Sequence, residues 1–292
     1  MSATDIVTPT AERHGDTFFA TIDDVDLATD LDTAWNDIHA AYLAHKVLCL
    51  KRQDLSAKQF HDLGERFGVI EPHTVTMYHH DEFPGITVLS NRTELGRPKG
   101  IRDAGSHWHS DYSYKAVPAN VTMLYAIEVP EAGGDTMFID LAAAYSALTD
   151  ETKQRLDGLQ AVHHYRHTKD RDHAEGRWKL LSEEQRRLTP EVTHPVVRTH
   201  PETGAKSIFV FPGLTSGVRR IVGMDPAESD DLLDMLFEHC TQDRFQYRHK
   251  WSVGDLLLWD NRCTMHHATT NVLPADHFRT ILRINTRGTA PA

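Results

Sequence analysis

The segment His107-Trp108-His109-Ser110-Asp111 is the strongest local chemical signal in the chain. In an extended segment, side chains two apart point to the same side. His109 and Asp111 then face a common point, with His107 beside them if the strand reaches that far. An imidazole and a carboxylate held side by side are two ligands for a divalent cation. Two histidines and one carboxylate leave adjacent coordination positions open, which is the donor set of non-haem Fe(II) oxygenases. The third ligand must come from elsewhere. Asp260-Asn261-Arg262-Cys263-Thr264-Met265-His266-His267 follows the hydrophobic run Leu256 to Trp259, and either His266 or His267 could close the triad. Arg279 and Arg283 are four apart, so in a strand they share a face. The guanidinium fork matches a planar carboxylate, and such an arginine near a metal would hold an anionic co-substrate. Thr136 could add a hydroxyl donor to the same carboxylate. Three ligands and a water would also make a zinc hydrolase site, but no motif supplies a placed general base.

These residues need strands to carry them. Val47 to Leu50, Ile86 to Leu89, Val121 to Ile127, Thr136 to Ile139, Val196 to Thr199, Ser207 to Phe211 and Thr280 to Thr286 have strand patterning. Phe245 to Trp251 and Leu256 to Trp259 read as a hairpin across Val253-Gly254-Asp255. Helices are expected over Asp32 to His45, from a Ser56/Gln59 capping box through Phe67, over Ala142 to Leu159, and from Asp225-Pro226 to about Thr241. Residues 1–14 read as a loose tail, and residues 167–189 as a charged excursion that could act as a lid. Short strands flanked by helices predict a mainly β fold of the α+β type, an antiparallel sandwich or barrel in one domain over residues 1–292.

The chain has 292 residues and a formal net charge of −11, which argues against non-specific nucleic-acid binding. It has no apolar run long enough to span a membrane and no signal-peptide pattern near Met1, so no membrane association is expected. Three scattered cysteines, Cys49, Cys240 and Cys263, predict neither a disulfide framework nor a zinc knuckle, and point to the cytoplasm. The 20 histidines are abundant but are not themselves a metal signal.

Taken together, His109-Ser110-Asp111, Gly133-Gly134-Asp135-Thr136, Trp259-Asp260-Asn261-Arg262 with Thr264 and His266, and Arg279 resemble the TauD/TfdA family of taurine and 2,4-dichlorophenoxyacetate dioxygenases. The resemblance runs from about Phe60 to Arg287, in the family's order. It implies a double-stranded β-helix, or jelly-roll. It also implies Fe(II) held by His109, Asp111 and His266, with 2-oxoglutarate and O2 as co-substrates. His266 is preferred to His267 because it holds the family position after Asn261-Arg262. Thr136 and Arg279 would grip the distal carboxylate of 2-oxoglutarate, which is converted to succinate and CO2 as a small-molecule substrate is hydroxylated. Arg283 and His73 match positions that hold the sulfonate in the family's taurine enzymes, which implies an anionic sulfonate or carboxylate substrate. Tyr78 and Tyr112 are further pocket candidates. Gly105-Ser106-His107-Trp108 stands where those taurine enzymes carry an asparagine, so taurine itself is not implied. The alternative within the family is an ether-cleaving enzyme of aryloxyalkanoates. The resemblance also implies a homo-oligomer.

Overall fold

The computed structural model describes residues 9–15, 17–73, 76–165, 183–212 and 216–292. The excursion expected at 167–189 lies outside these as far as residue 182; its last part is a helix, Glu183–Leu188. Most of the expected N-terminal tail also lies outside, but Glu12–Arg13 is a short strand paired with Ala20 and Thr21, so the tail is not loose throughout.

Seven strands form the major sheet, in the spatial order Glu12–Arg13, Phe19–Ile22, Val47–Leu50, Leu256–Asp260, Ala119–Glu128, Thr280–Arg287 and Thr87–Ser90. Its pairings are antiparallel except Phe19–Ile22 with Val47–Leu50. A parallel pair needs a long crossover, and the helix Leu27–His45 provides it. A minor sheet of Gln246–His249, Thr136–Asp140 and Thr264–Ala268 faces the major one. Between them lie Phe19, Val47, Cys49, Leu124, Phe138, Leu257, Trp259 and Ile281. Two mainly antiparallel sheets closed over one core are the expected jelly-roll.

The strand Leu256–Asp260 is buried on both faces, which explains its unbroken apolar run. Leu257 and Trp259 point between the sheets, whereas Leu256 and Leu258 point to the opposite face. There Ile38 and Tyr42 of the first helix, and Phe60 and Leu63 of the helix Ala57–Phe67, cover them. The second helix starts at the expected capping box: Ser56 accepts from the Gln59 N–H while the Gln59 side chain accepts from the Ser56 N–H. The first helix begins earlier than its apolar spacing suggests, because Asp26 caps it by accepting from the Ala28 N–H.

Two expectations need correction. Gln246–His249 and Leu256–Asp260 do not form a hairpin; the first pairs with Thr136–Asp140 in the minor sheet and the second joins the major sheet. The connection crosses between sheets because Asp255 is drawn inward, its carboxylate accepting from the Ser252 N–H, the His249 ring and Lys51. Helix is also not continuous over 142–159. Asp140 caps Leu141–Ser146, and Thr149 caps a separate turn of helix, Asp150–Leu156. Local side-chain caps therefore divide what apolar spacing reads as one element. The helix Pro226–Cys240 follows its Asp225-Pro226 start signal, with Leu232, Leu233 and Leu236 buried and Phe237 only partly so. Among the described residues no helix is long and apolar enough to cross a membrane.

Candidate active site

His266 lies on the edge strand of the minor sheet, Thr264–Ala268, in register with Phe138 of the central strand. The segment carrying His109 adds one bridge to that edge: the His109 N–H donates to the His266 carbonyl at 3.0 Å, and the His266 N–H donates back at 2.8 Å. This reciprocal pair sets the two rings 4.1 Å apart, centre to centre. Asp111 follows two residues on, and its Oδ1 lies 3.8 Å from His109 Nε2 while its Oδ2 lies 3.9 Å from His266 Nε2. One potential ligand atom from each of the three falls within 4.8 Å of the others. His267 points away and packs edge-on against Trp108, so it is His266 that meets Asp111. His107 contributes its carbonyl, which accepts from His109 Nδ1 at 2.7 Å. That bond puts the proton on Nδ1 and leaves the Nε2 lone pair turned toward Asp111.

Protonation suits a cation. Burial pushes the His109 pKa down; burial, with the neighbouring His109 next, pushes that of His266 well down. Both rings are neutral donors. Burial raises the Asp111 carboxyl, but His266, Arg283 and His109 outweigh it and hold the group below the usual aspartate range. Its Oδ2 also accepts from Thr122 Oγ1 at 2.6 Å and Asn285 Nδ2 at 2.9 Å, and its backbone N–H donates to Asn261 Oδ1 at 3.2 Å. Oδ1 is left toward His109. A buried anion with two buried neutral imidazoles, none of them neutralised by a cation in hydrogen-bond contact, fits a divalent metal with three protein ligands.

The inner face of the major sheet explains the supporting residues. Val47, Trp259, Thr122 and Asn285 are consecutive register partners across four strands. The next row is Cys49, Leu257, Leu124 and Arg283. Arg283 therefore enters the inter-sheet space one step from Asn285. Its Nε and Nη2 are buried without a hydrogen-bond partner.

Arg279 is buried at 6% exposure and its Nε has no partner. Burial lowers its pKa to about 10. Gly134 allows its approach: a Cβ there would stand 3.2 Å from Arg279 Cδ, and the backbone at φ +70° suits glycine. Thr136 follows two residues later, and its hydroxyl accepts from Trp251 Nε1 at 3.1 Å. The Arg279 guanidinium lies 5.7 Å from the Trp251 ring centre. Asn91 fixes the backbone here, its Oδ1 accepting from the Arg279 N–H at 2.9 Å. A buried guanidinium without a carboxylate calls for an anionic ligand.

Tyr112 sits beside the triad with its hydroxyl buried and unbonded, its pKa pushed up to about 12, mainly by burial. Its φ of +56° is uncommon for a side-chain-bearing residue and marks local strain at the site. His73 and Tyr78 lie in the segment around residues 74–75. Both are half-buried on either side of residues 74–75, and the His73 carbonyl accepts from His79 Nε2 at 2.8 Å. No hydrogen bond or ion pair joins Tyr78 to the triad among the described residues. Gly105, in the segment where the asparagine is lacking, leans over the metal-side histidine: a Cβ there would stand 2.8 Å from His109 Cε1.

Sequence reasoning missed Thr122, Asn285 and Trp251. Asn285 was within reach, because it is two residues beyond Arg283 and so shares its face. Thr122 and Trp251 carry no such local signal.

The chain matches the profile described as taurine catabolism dioxygenase TauD, TfdA family, over residues 7–285. It is 34% identical over 264 residues to the alpha-ketoglutarate-dependent 2,4-dichlorophenoxyacetate dioxygenase of Cupriavidus pinatubonensis, covering 85% of this chain and 88% of that one. A crystal structure of a taurine dioxygenase from Burkholderia xenovorans superposes with a TM-score of 0.79 at 30% identity, over 98% of this chain and 93% of that one. The structure of AAD-2 in complex with Mn(II) and N-oxalylglycine superposes with a TM-score of 0.80 at 29% identity, over 98% and 99% of the two chains. The chain belongs to the TauD/TfdA family of dioxygenases.

Proposed function

We propose that the protein is an Fe(II)- and 2-oxoglutarate-dependent dioxygenase that hydroxylates a small anionic organic substrate, a sulfonate or a carboxylate. The observation that carries this is a pair of buried, unanswered charges: the Asp111 carboxylate between two neutral histidines, and the Arg279 guanidinium without an acid. His109 Nε2, Asp111 Oδ1 and His266 Nε2 would hold the metal. Bound Fe(II) would supply O2 activation coupled to oxidative decarboxylation of 2-oxoglutarate, with one oxygen atom entering succinate and the other the substrate carbon. Arg279 would take the distal carboxylate in its fork, and Thr136 would donate its hydroxyl to it while keeping the Trp251 bond. Trp251 would wall this subsite, its ring against the Arg279 guanidinium and its Nε1 on Thr136.

Arg283 supports an anionic substrate group, because its two unpaired buried nitrogens point to the inter-sheet space beside Asp111. Tyr112 would add its free hydroxyl. His73 and Tyr78 complete the candidate substrate set from the segment around residues 74–75, with fewer observations behind them. The likeness to the 2,4-dichlorophenoxyacetate dioxygenase of Cupriavidus supports the aryloxyalkanoate alternative, in which hydroxylation beside the ether oxygen leads to cleavage. The three buried free cysteines support a reducing compartment, and we place the protein in the cytoplasm. We take the chain as one domain that assembles as a homo-oligomer, which light scattering of the purified protein would test. Screening sulfonates, aryloxyalkanoates and small carboxylic acids for substrate-dependent succinate release tests the function. Zinc as the native metal and hydrolysis indifferent to O2 would replace this reading with that of a hydrolase.

A further inference from the structure

The strand Thr136–Asp140 spans about 13 Å at roughly 3.3 Å per residue, so its two ends serve different places. Thr136 bonds to Trp251, whose ring lies against Arg279. At the other end, Asp140 borders a separate cavity of about 330 Å³, within the range of small-molecule sites. Its walls carry Arg13, His45, Lys46 and Arg244, and Asp140 is the sole acid among its lining residues.

Asp140 is already committed. Its Oδ1 accepts from the Ala142 and Ala143 N–H groups at 3.0 and 2.9 Å, and its Oδ2 pairs with Lys46 Nζ at 2.5 Å. Among the described residues Arg13 makes one hydrogen bond from its guanidinium, Nε to the Thr17 carbonyl at 2.8 Å. Arg244 lies over the Phe245 ring at 4.6 Å. Neither has a carboxylate within ion-pair distance among the described residues. The C-terminus of the helix Leu27–His45 contributes a partial negative charge of about −0.5. Among the described residues, three permanent cations against Asp140 and that dipole leave a surplus of about +1.5 in the cavity, in a chain whose net charge is −11. The uncompensated field reaches His45, whose pKa is lowered by burial and then by Arg13 and Lys46. Lys46 itself has φ +65°, a left-handed conformation that a lysine rarely adopts.

We propose that this cavity is a second ligand site that binds a small polyanion, a compound with two or more carboxylate or phosphate groups able to bridge Arg13 and Arg244 past Lys46. It is independent of the triad, and its occupant would compete with Asp140 for the Lys46 ammonium.

Calorimetric titration of the anaerobic Fe(II)-loaded protein, with 2-oxoglutarate saturating, tests this using tricarballylate in one arm and pyrophosphate in the other. The expected result is saturable one-site binding in at least one arm, weakening as salt is added. The arm that binds identifies the anion class. The double variant Arg13→Ala/Arg244→Ala, altered at exposed positions, is expected to bind at least about tenfold more weakly with unchanged 2-oxoglutarate turnover. No binding tighter than about 1 mM in either arm overturns the proposal. So does binding that the double variant retains, or binding that disappears in Arg279→Met instead.

Discussion

Asp111 and Asp260 are both buried aspartates, each beside histidine and arginine, and each in a cluster that offers three potential ligand atoms within 4.8 Å. They end in opposite conditions. Asp260 receives both arms of Arg262, Nε to Oδ1 at 2.8 Å and Nη2 to Oδ2 at 2.7 Å, and His200 Nε2 at 2.8 Å from Oδ2. Arg262 is in turn paired with Glu202. Every lone pair that faces inward is answered, so that cluster is a fastening between Leu256–Asp260 and the loop at His200. Asp111 keeps one oxygen toward two neutral imidazoles and has no cation in contact. Residue types alone do not separate a fastening from a ligand set; unanswered lone pairs do. The arginines divide the same way: Arg262 is paired with Asp260 and Glu202, whereas Arg279 has no ion pair among the described residues and its Nε is buried without a partner.

The largest expected effect is the loss of 2-oxoglutarate turnover in Asp111→Ala, by more than about 100-fold, beyond the cost usual for outer-shell residues. Circular dichroism should show the fold intact. If turnover survives, the contrast with Asp260 has been drawn at the wrong place. Asp260→Ala should do the reverse, costing about 3–5 kcal/mol of stability by stranding Arg262 while the folded fraction still binds iron, as read by urea denaturation and metal analysis.

Next come the arginines. Arg279→Met should raise the KM for 2-oxoglutarate about 30-fold or more, as the loss of roughly 2 kcal/mol from a buried charged hydrogen-bond pair predicts. The same variant should melt no lower than the parent, because it removes a buried charge without an acid partner. Arg262→Met should lower the melting temperature sharply. Equal melting shifts in the two variants would erase the distinction.

Acid stability sharpens it further. The Asp260 carboxyl is held below its ordinary range, by Arg262 and His200 against the opposing effect of burial. A depressed acid contributes stability that is complete above the unfolded aspartate value, about 3.9, and is lost as pH falls below it toward the folded value. Asp260→Asn should therefore be less stable at neutral pH and show a shallower acid limb. A slope parallel to the parent's between about pH 4 and 2 would show that Asp260 is not a fastening.

The smallest effects belong to the supports. Asn285→Ala should weaken iron binding about tenfold. Thr136→Val should raise the KM for 2-oxoglutarate about fivefold, the loss of one hydrogen bond of roughly 1 kcal/mol. Neither should change melting by more than a few degrees.

The sequence made the donors readable because local rules govern them. His109 and Asp111 share a face by strand parity, and the capping box at Ser56 and the N-cap at Asp225 follow from short-range bonds. The choice of His266 over His267 needed either family order or the bridge to His109, since parity alone places them on opposite faces without saying which is inward. The expected hairpin at 245–259 failed because both strands have hairpin patterning while Asp255 diverts the chain between sheets. Thr122 and Trp251 were hidden because only cross-strand register and a loop return bring them to Asp111 and Thr136. The charge imbalance at the Asp140 cavity joins residues 13, 46, 140 and 244, which no local pattern connects.

The central claim, that Asp111 with His109 and His266 is a metal centre whereas Asp260 with His200 is a fastening, is tested most directly by anaerobic Fe(II) and 2-oxoglutarate titration followed by visible absorption. The parent and Asp260→Asn should each develop a saturable band that requires both additions, and Asp111→Ala should develop none. A band retained in Asp111→Ala, or absent from the parent with iron and 2-oxoglutarate in excess, would contradict the account.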